Sequence, residues 1–109
     1  MSLEIDPSEG VFNVSGERKT FTIINVTKER LAFKVKTSDV DLYRAKPVYG
    51  FVVPQEKIKL IIQRMEGPAK LDKIVVQYAE VPEEEVEPKA PFQAEAQSGE
   101  VILPVNAKS

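Results

Sequence analysis

Eight residues, Leu31-Ala32-Phe33-Lys34-Val35-Lys36-Thr37-Ser38, constrain the fold of this chain more than any other stretch. Side chains on an extended strand alternate between its two faces. Leu31, Phe33, Val35 and Thr37 therefore share one face, and Ala32, Lys34, Lys36 and Ser38 share the other. The pattern predicts a half-buried strand with an apolar inner face and a basic outer one. Such a strand can sit at the centre of an antiparallel sheet and still present its lysines to a partner. The plainer use of the same lysines is a solvated surface that keeps the protein soluble.

The remaining segments repeat the same logic over short lengths. Residues 3–6 are extended and closed by Pro7, and residues 10–14 are extended again, offering Val11 and Phe12 to the core. Residues 19–26 are rich in β-branched and aromatic side chains, with Phe21 and Ile23 on one face. The polar turn Thr27-Lys28-Glu29-Arg30 joins them to the central strand, which predicts a hairpin between the two. Residues 42–45 read as a short strand, and Pro47 and Gly50 bracket a bend. Proline cannot donate to a sheet ladder, so Pro47 belongs on an edge or where a strand crosses between sheets. Residues 51–53, 57–64, 72–78 and 100–106 complete the set, with Pro104 predicting an edge for the last. Many short strands separated by turn residues, with almost no helical period, predict an all-β sandwich. Its expected core is Phe21, Ile23, Leu31, Phe33, Val35, Ile58, Leu60, Ile62, Ile74, Val76, Leu103 and Val105.

Residues 80–99 interrupt the pattern. Glu80, Glu83, Glu84, Glu85 and Glu87, punctuated by Pro82 and Pro88, predict a mobile solvated loop. Pro91 suits the first position of a short helical turn, and Phe92 would pin that turn to the sandwich.

Length and composition bound the function. At 109 residues the chain has room for one domain, and its formal net charge of -2 gives no overall attraction to nucleic acid or membrane. The first residues lack the basic start and apolar run of a signal peptide, which predicts an intracellular protein. Asn13-Val14-Ser15 and Asn25-Val26-Thr27 match the glycosylation pattern and are not expected to be used there. No apolar run approaches the roughly 20 residues that span a bilayer. There is no histidine and no cysteine, which removes the commonest general base, the thiolate nucleophile and the usual zinc sites. Asp39 and Asp41 are too few for a cation site, the five glycines form no phosphate loop, and the lysines lack the aromatic interleaving of a nucleic-acid platform. The expectation is a non-enzyme without metal or cofactor.

Phe33-Lys34-Val35-Lys36-Thr37-Ser38, then Tyr43-Arg44-Ala45-Lys46-Pro47 and Gly50, resemble the major sperm protein (MSP) domain. Its pattern runs from a Lys-Thr-Thr or Lys-Thr-Ser strand through a proline-containing crossing to a glycine. The similarity continues through Val53-Pro54-Gln55-Glu56 and Asp72-Lys73-Ile74-Val75-Val76-Gln77-Tyr78 to Leu103-Pro104-Val105, nearly the whole chain. It implies a seven-stranded immunoglobulin-like β-sandwich of the MSP/PapD-like kind, forming a single domain over residues 1–109.

In the VAP membrane adaptors of that family the domain binds a short acidic peptide containing phenylalanines, the FFAT motif, on an electropositive face. The matching positions here are Lys34, Lys36, Thr37, Ser38, Lys73 and Val75. Alternation alone places all of them except Thr37 on the outer face. Val75 stands where the adaptors carry a longer methionine, which shortens the apolar contact. A second branch comprises small nematode sperm proteins, and size and the lack of extra modules favour it. That resemblance implies a cytoplasmic structural or interaction protein of sperm, accessory to the cytoskeleton and motility. Its partners would be proteins, among them a second copy in a homodimer, with no nucleic acid and no membrane insertion. The alternative is a peptide-binding module that captures acidic FFAT-like segments on its basic sheet face. The glutamate run followed by Phe92 loosely echoes such a peptide, so one molecule's loop is a candidate ligand for another's lysine face. In the plainer reading Phe92 packs under its own loop.

Overall fold

The computed structural model describes residues 3–109. Among them lie nine strands and one helical turn: β1 (Leu3–Asp6), β2 (Gly10–Asn13), β3 (Glu17–Asn25), β4 (Leu31–Thr37), β5 (Tyr43–Lys46), β6 (Tyr49–Val52), β7 (Lys57–Arg64), β8 (Leu71–Glu80), α1 (Ala90–Gln93) and β9 (Gly99–Lys108). They build a sandwich of a four-stranded sheet, β1-β3-β7-β5, and a five-stranded sheet, β2-β9-β8-β4-β6. Every pairing is antiparallel except β2 with β9.

Seven strands become nine because two of them change sheets. β1 and β5 belong to the four-stranded sheet, and their continuations β2 and β6 belong to the other. The changes fall at Pro7 and Pro47, each preceded by a cis peptide bond. Of the two placements open to Pro47, an edge or a crossing between sheets, it takes the crossing. Just beyond it, Gly50 faces Phe33 across the β4–β6 pair, and a Cβ there would sit 2.7 Å from the Phe33 ring. A side chain at position 50 would expel that ring from the core.

The expected core residues are buried, apart from Ile58, which packs half-buried against the others. Phe12 joins the layers: its ring meets Tyr43 edge-on at 5.6 Å and lies 6.2 Å from Phe21. Such aromatic contacts add about 0.5–1.5 kcal/mol each beyond area burial.

Two expectations about the strands change. β3 and β4 do not form a hairpin, because β3 pairs with β1 and β7 while β4 pairs with β6 and β8. The turn between them crosses from sheet to sheet and is organised by Asn25, which is 0% exposed. Its amide donates to the carbonyls of Glu29 and Val52, and its oxygen accepts from the Thr27 N–H and hydroxyl. The glycosylation-like Asn25-Val26-Thr27 is therefore a buried crossing motif. Pro104, second, lies on an interior strand, since β9 runs between β2 and β8. The edge is local: β2 covers β9 only from Val105 onward, so Pro104 stands where that side opens.

The glutamate-rich loop is tied down. Nη1 of Arg30 donates to the carbonyls of Pro82 and Glu85 at 2.7 and 2.9 Å and reaches that of Glu83 at 3.4 Å. Its guanidinium lies 3.9 Å from the centre of the Phe51 ring. Repulsion among the glutamates acts on their exposed side chains, while the arginine holds the backbone beneath them. Pro91 enters the first turn of α1 and is buried, and Phe92 packs 6.2 Å from Tyr49, within its own molecule.

Candidate protein-binding surface

The outer face of the five-stranded sheet brings together three of the seven sequence-predicted site residues. Lys36 on β4 faces Val75 on β8, Val75 faces Ile102 on β9, and Lys73 faces Pro104. Lys36 and Lys73 are exposed and Val75 is half-buried, so two ammonium groups flank a short apolar contact. The other four predicted residues do different things. Lys34 is half-buried beneath the α1 segment, its Nζ 5.6 Å from the Tyr49 ring, and shares a recess of about 310 Å³ with Lys36, Phe92 and Glu95. Ser38 spends its hydroxyl on structure, donating to Asp72 Oδ1 at 2.7 Å and accepting the Lys73 N–H at 2.9 Å. Thr37 turns toward the seam between the sheets, where its Oγ1 is buried without an internal partner. Pro47 lies at the β5–β6 crossing and not on this face.

Below Ser38, Lys70 bridges Asp39 at 2.7 Å and Asp72 at 3.4 Å. The hydrogen bond from Lys70 is the main cause that holds the Asp39 carboxyl below its ordinary range, and the same bond raises Lys70. Asp39 also accepts the N–H groups of Asp41 and Leu42, so its oxygens are occupied by the turn it sits in. Among the described residues no three acidic, histidine or cysteine side chains gather as a metal site would require.

Three features lie outside the sequence reading above. A groove of about 560 Å³ opens beside Lys36 and Arg44, lined by Val35, Thr37, Val40, Tyr43, Ala45 and Val48. It exists because β4 and β5 diverge into different sheets, which no local pattern reveals. The apolar contact at Val75 extends across the face through Ile102 (50% exposed), Val11 (46%) and Leu71 (77%). Strict alternation could have flagged Ile102 and Leu71, since each puts an aliphatic side chain at an outward position. Arg30, whose partners lie more than fifty residues away, gave no signal.

The sequence matches a known domain pattern over most of its length. A family model described as the MSP (Major sperm protein) domain covers residues 2–101. The chain belongs to the major sperm protein domain family. Among MSP relatives, Sperm-specific class P protein 31 of Caenorhabditis elegans is 52% identical over 101 residues, covering 93% of this chain and 94% of the relative. The solved structure of WR4, described as a C. elegans MSP family member, superposes with a TM-score of 0.95 at 50% identity and covers 99% of this chain and 100% of its own. A PapD-like domain of human CEP192 shares the fold alone, with a TM-score of 0.71 at 9% identity, covering 99% of this chain and 84% of that domain chain. The MSP-type sandwich expected from the sequence is therefore the fold observed. No helix among the described residues is long and apolar enough to cross a membrane.

Proposed function

We propose that this MSP-domain chain is a non-enzymatic structural and interaction protein of the nematode sperm cytoplasm, accessory to the cytoskeleton that moves the cell. The relative named as sperm-specific supports the setting. The observation that carries the reading is the unpartnered outer face of the five-stranded sheet, where Lys36 and Lys73 rim the exposed Leu71, Ile102 and Val11. Exposed aliphatic side chains bordered by charge are the ordinary signature of a protein-binding surface. Lysines at the rim attract acidic partners and reject basic ones, while the apolar centre supplies area to bury. The test is a pull-down from nematode sperm extract with the purified chain as bait. Recovery of a defined set of sperm proteins, reduced by salt, is expected. Recovery of the same set by beads alone would defeat the proposal.

A second reading draws on the groove beside Lys36 and Arg44. An apolar trough next to two cations fits a peptide that places an apolar side chain beside a carboxylate. On this reading the chain captures acidic, phenylalanine-containing segments. Titration of a labelled peptide of that kind should give saturable binding that weakens with salt. No saturation at millimolar peptide would remove it.

A further inference from the structure

The outer face of the four-stranded sheet carries charge that nothing in the fold balances. Alternation turns Arg18 and Thr20 of β3, Ile61 and Gln63 of β7, and Arg44 and Lys46 of β5 toward that face. Arg18 stands opposite Gln63 and Gln63 opposite Arg44, so one row across three strands reads arginine, glutamine, arginine. Lys46, two residues beyond Arg44, faces Ile61. These side chains line a recess of about 260 Å³ that runs over β7. Nε of Arg18 donates to Gln63 Oε1 at 3.2 Å, and Gln63 Nε2 donates to the Arg64 carbonyl at 3.0 Å. The glutamine is spent on both sides and holds the guanidinium in place. Both ion pairs among the described residues belong to Lys70, which leaves Arg18, Arg44 and Lys46 without a carboxylate. The acids of this face, Glu4 and Asp6, stand on β1 at the other edge, opposite Ile24 and Thr22.

We infer that this recess binds a phosphate monoester carried on a small soluble molecule. Neighbouring strands lie about 4.8 Å apart, so the Cα atoms of Arg18 and Arg44 are roughly 10 Å from each other with Gln63 between them. Side chains as long as arginine reach a group centred above the glutamine from both flanks. A guanidinium presents a planar fork of donors that pairs with two oxygens of one phosphate. Two forks and an ammonium match a tetrahedral group with three terminal oxygens and nearly two negative charges. A planar carboxylate is already engaged by a single fork. The recess has room for one phosphoryl group and a small body, and Ile61 and Ala45 are the apolar side chains it offers. A flat anionic membrane fits less well, because it would also meet Glu4 and Asp6, exposed on the same face. The site lies on the opposite sheet from Lys36 and Lys73 and does not depend on the reading of that surface.

The test is a titration of methyl phosphate into the full chain at physiological salt, followed by nitrogen–proton NMR of the backbone amides and arginine Nε groups. Saturable shifts are expected at Arg18, Gln63 and Arg44, with Lys36 and Lys73 unmoved. Affinity should rise between about pH 5 and pH 7, where the ester gains its second charge. The chain has no histidine, so no side chain of ordinary pKa titrates in that window. Arg44 also borders the groove beside Lys36, so the deciding variant is Arg18→Gln, which does not line that groove. It should weaken binding by about tenfold. Gln63→Leu keeps every charge but frees the Arg18 guanidinium, and should weaken binding several-fold. Lys57→Gln with Lys59→Gln removes two charges from the same face outside the recess, and screening should keep its effect under about twofold. Circular dichroism confirms that each variant folds. Absence of saturation at tens of millimolar methyl phosphate overturns the proposal. Equal losses with Arg18→Gln and with the lysine pair also overturn it, in favour of diffuse charge attraction. Flotation with vesicles containing a phosphoinositide, without any response to methyl phosphate, overturns it in favour of a membrane.

Discussion

Replacing Asn25 with alanine should be among the most damaging single changes in this domain. The side chain is 0% exposed, and its amide and oxygen make four hydrogen bonds. Those bonds join the end of β3 in one sheet to the crossing turn and to Val52 on β6 of the other. In Asn25→Ala the Glu29 carbonyl keeps the Thr27 hydroxyl as a donor. The Thr27 N–H and the Val52 carbonyl lose the amide and stay buried. At about 1–3 kcal/mol for each buried polar group left unpaired, the loss is about 2–6 kcal/mol. For a chain of this length about 4 kcal/mol corresponds to a fall of roughly 15 °C in Tm. Thr27→Val, which deletes only the hydroxyl, should cost about 1 kcal/mol. Asn25→Asp keeps the acceptor toward Thr27 but sets a second oxygen against two carbonyls. Burial and those carbonyls raise the folded-state pKa of the new carboxyl. Its stability, relative to wild type at the same pH, should therefore be best in acid and lost as pH rises through the raised value. Urea denaturation followed by circular dichroism measures all three. A loss below about 1 kcal/mol for Asn25→Ala would refute the argument that this amide network holds the sheet crossing.

Arg64, also 0% exposed, donates to the carbonyls of Met65 and Pro68 and lies 5.4 Å from the Tyr43 ring, so Arg64→Ala should cost about 2–4 kcal/mol in the same assay. An unchanged midpoint would show that the turn after β7 closes without it. Arg30→Ala should release the glutamate-rich loop, seen as faster amide exchange over residues 81–87 while the core stays protected. Unaltered exchange there would mean the loop holds itself. The depressed Asp39 carboxyl contributes stability that is present above its unfolded value, about 3.9, and lost as pH falls through the folded one. Lys70, being raised, contributes below its unfolded value, about 10.4, and loses that contribution as pH rises through the folded one. Lys70→Met should flatten both limbs of the Tm-against-pH curve, by a small amount because the pair is solvent-facing. Identical curves would deny the pair any role.

For β3, β4, β7, β8 and β9 alternation tells which face points inward, because burial on one side leaves a period-two record that survives any topology; in β2, where it offers both Val11 and Phe12 to the core, only Phe12 is buried and Val11 is exposed. The inner positions of β4, β7 and β8 follow from it directly, and so does the shared outer face of Lys36, Lys73 and Val75. It could not tell which sheet a strand joins. β3 and β4 carry the same pattern yet lie in opposite layers, and what separates them is a buried asparagine that reads in sequence as an ordinary turn residue. Arg64 follows Leu60 and Ile62 at the inward spacing, but a charge at the end of a strand reads as solvent-facing until its carbonyl partners are in view. The anchoring of the acidic loop is hidden for a similar reason. Composition sees the glutamates, while the clamp comes from an arginine in a different turn of the chain. The stripe through Leu71, Ile102 and Val11 needs the β2–β9–β8 order, which depends on a parallel pairing between distant segments.

The proposed function requires that the outer face of the five-stranded sheet, and not the charge of the whole molecule, recruits partners. Two doubly substituted chains separate these directly. Lys36→Asp with Lys73→Asp reverses charge on that face, and Lys57→Asp with Lys59→Asp makes the same change of net charge on exposed positions of the four-stranded sheet. Surface substitutions usually move stability by less than about 0.5 kcal/mol, so both should remain folded. Quantitative capture of sperm proteins by the two chains and the wild type is the deciding measurement. Loss of capture with the first pair and retention with the second is the predicted result. Equal capture by all three, or equal loss with both pairs, would contradict it.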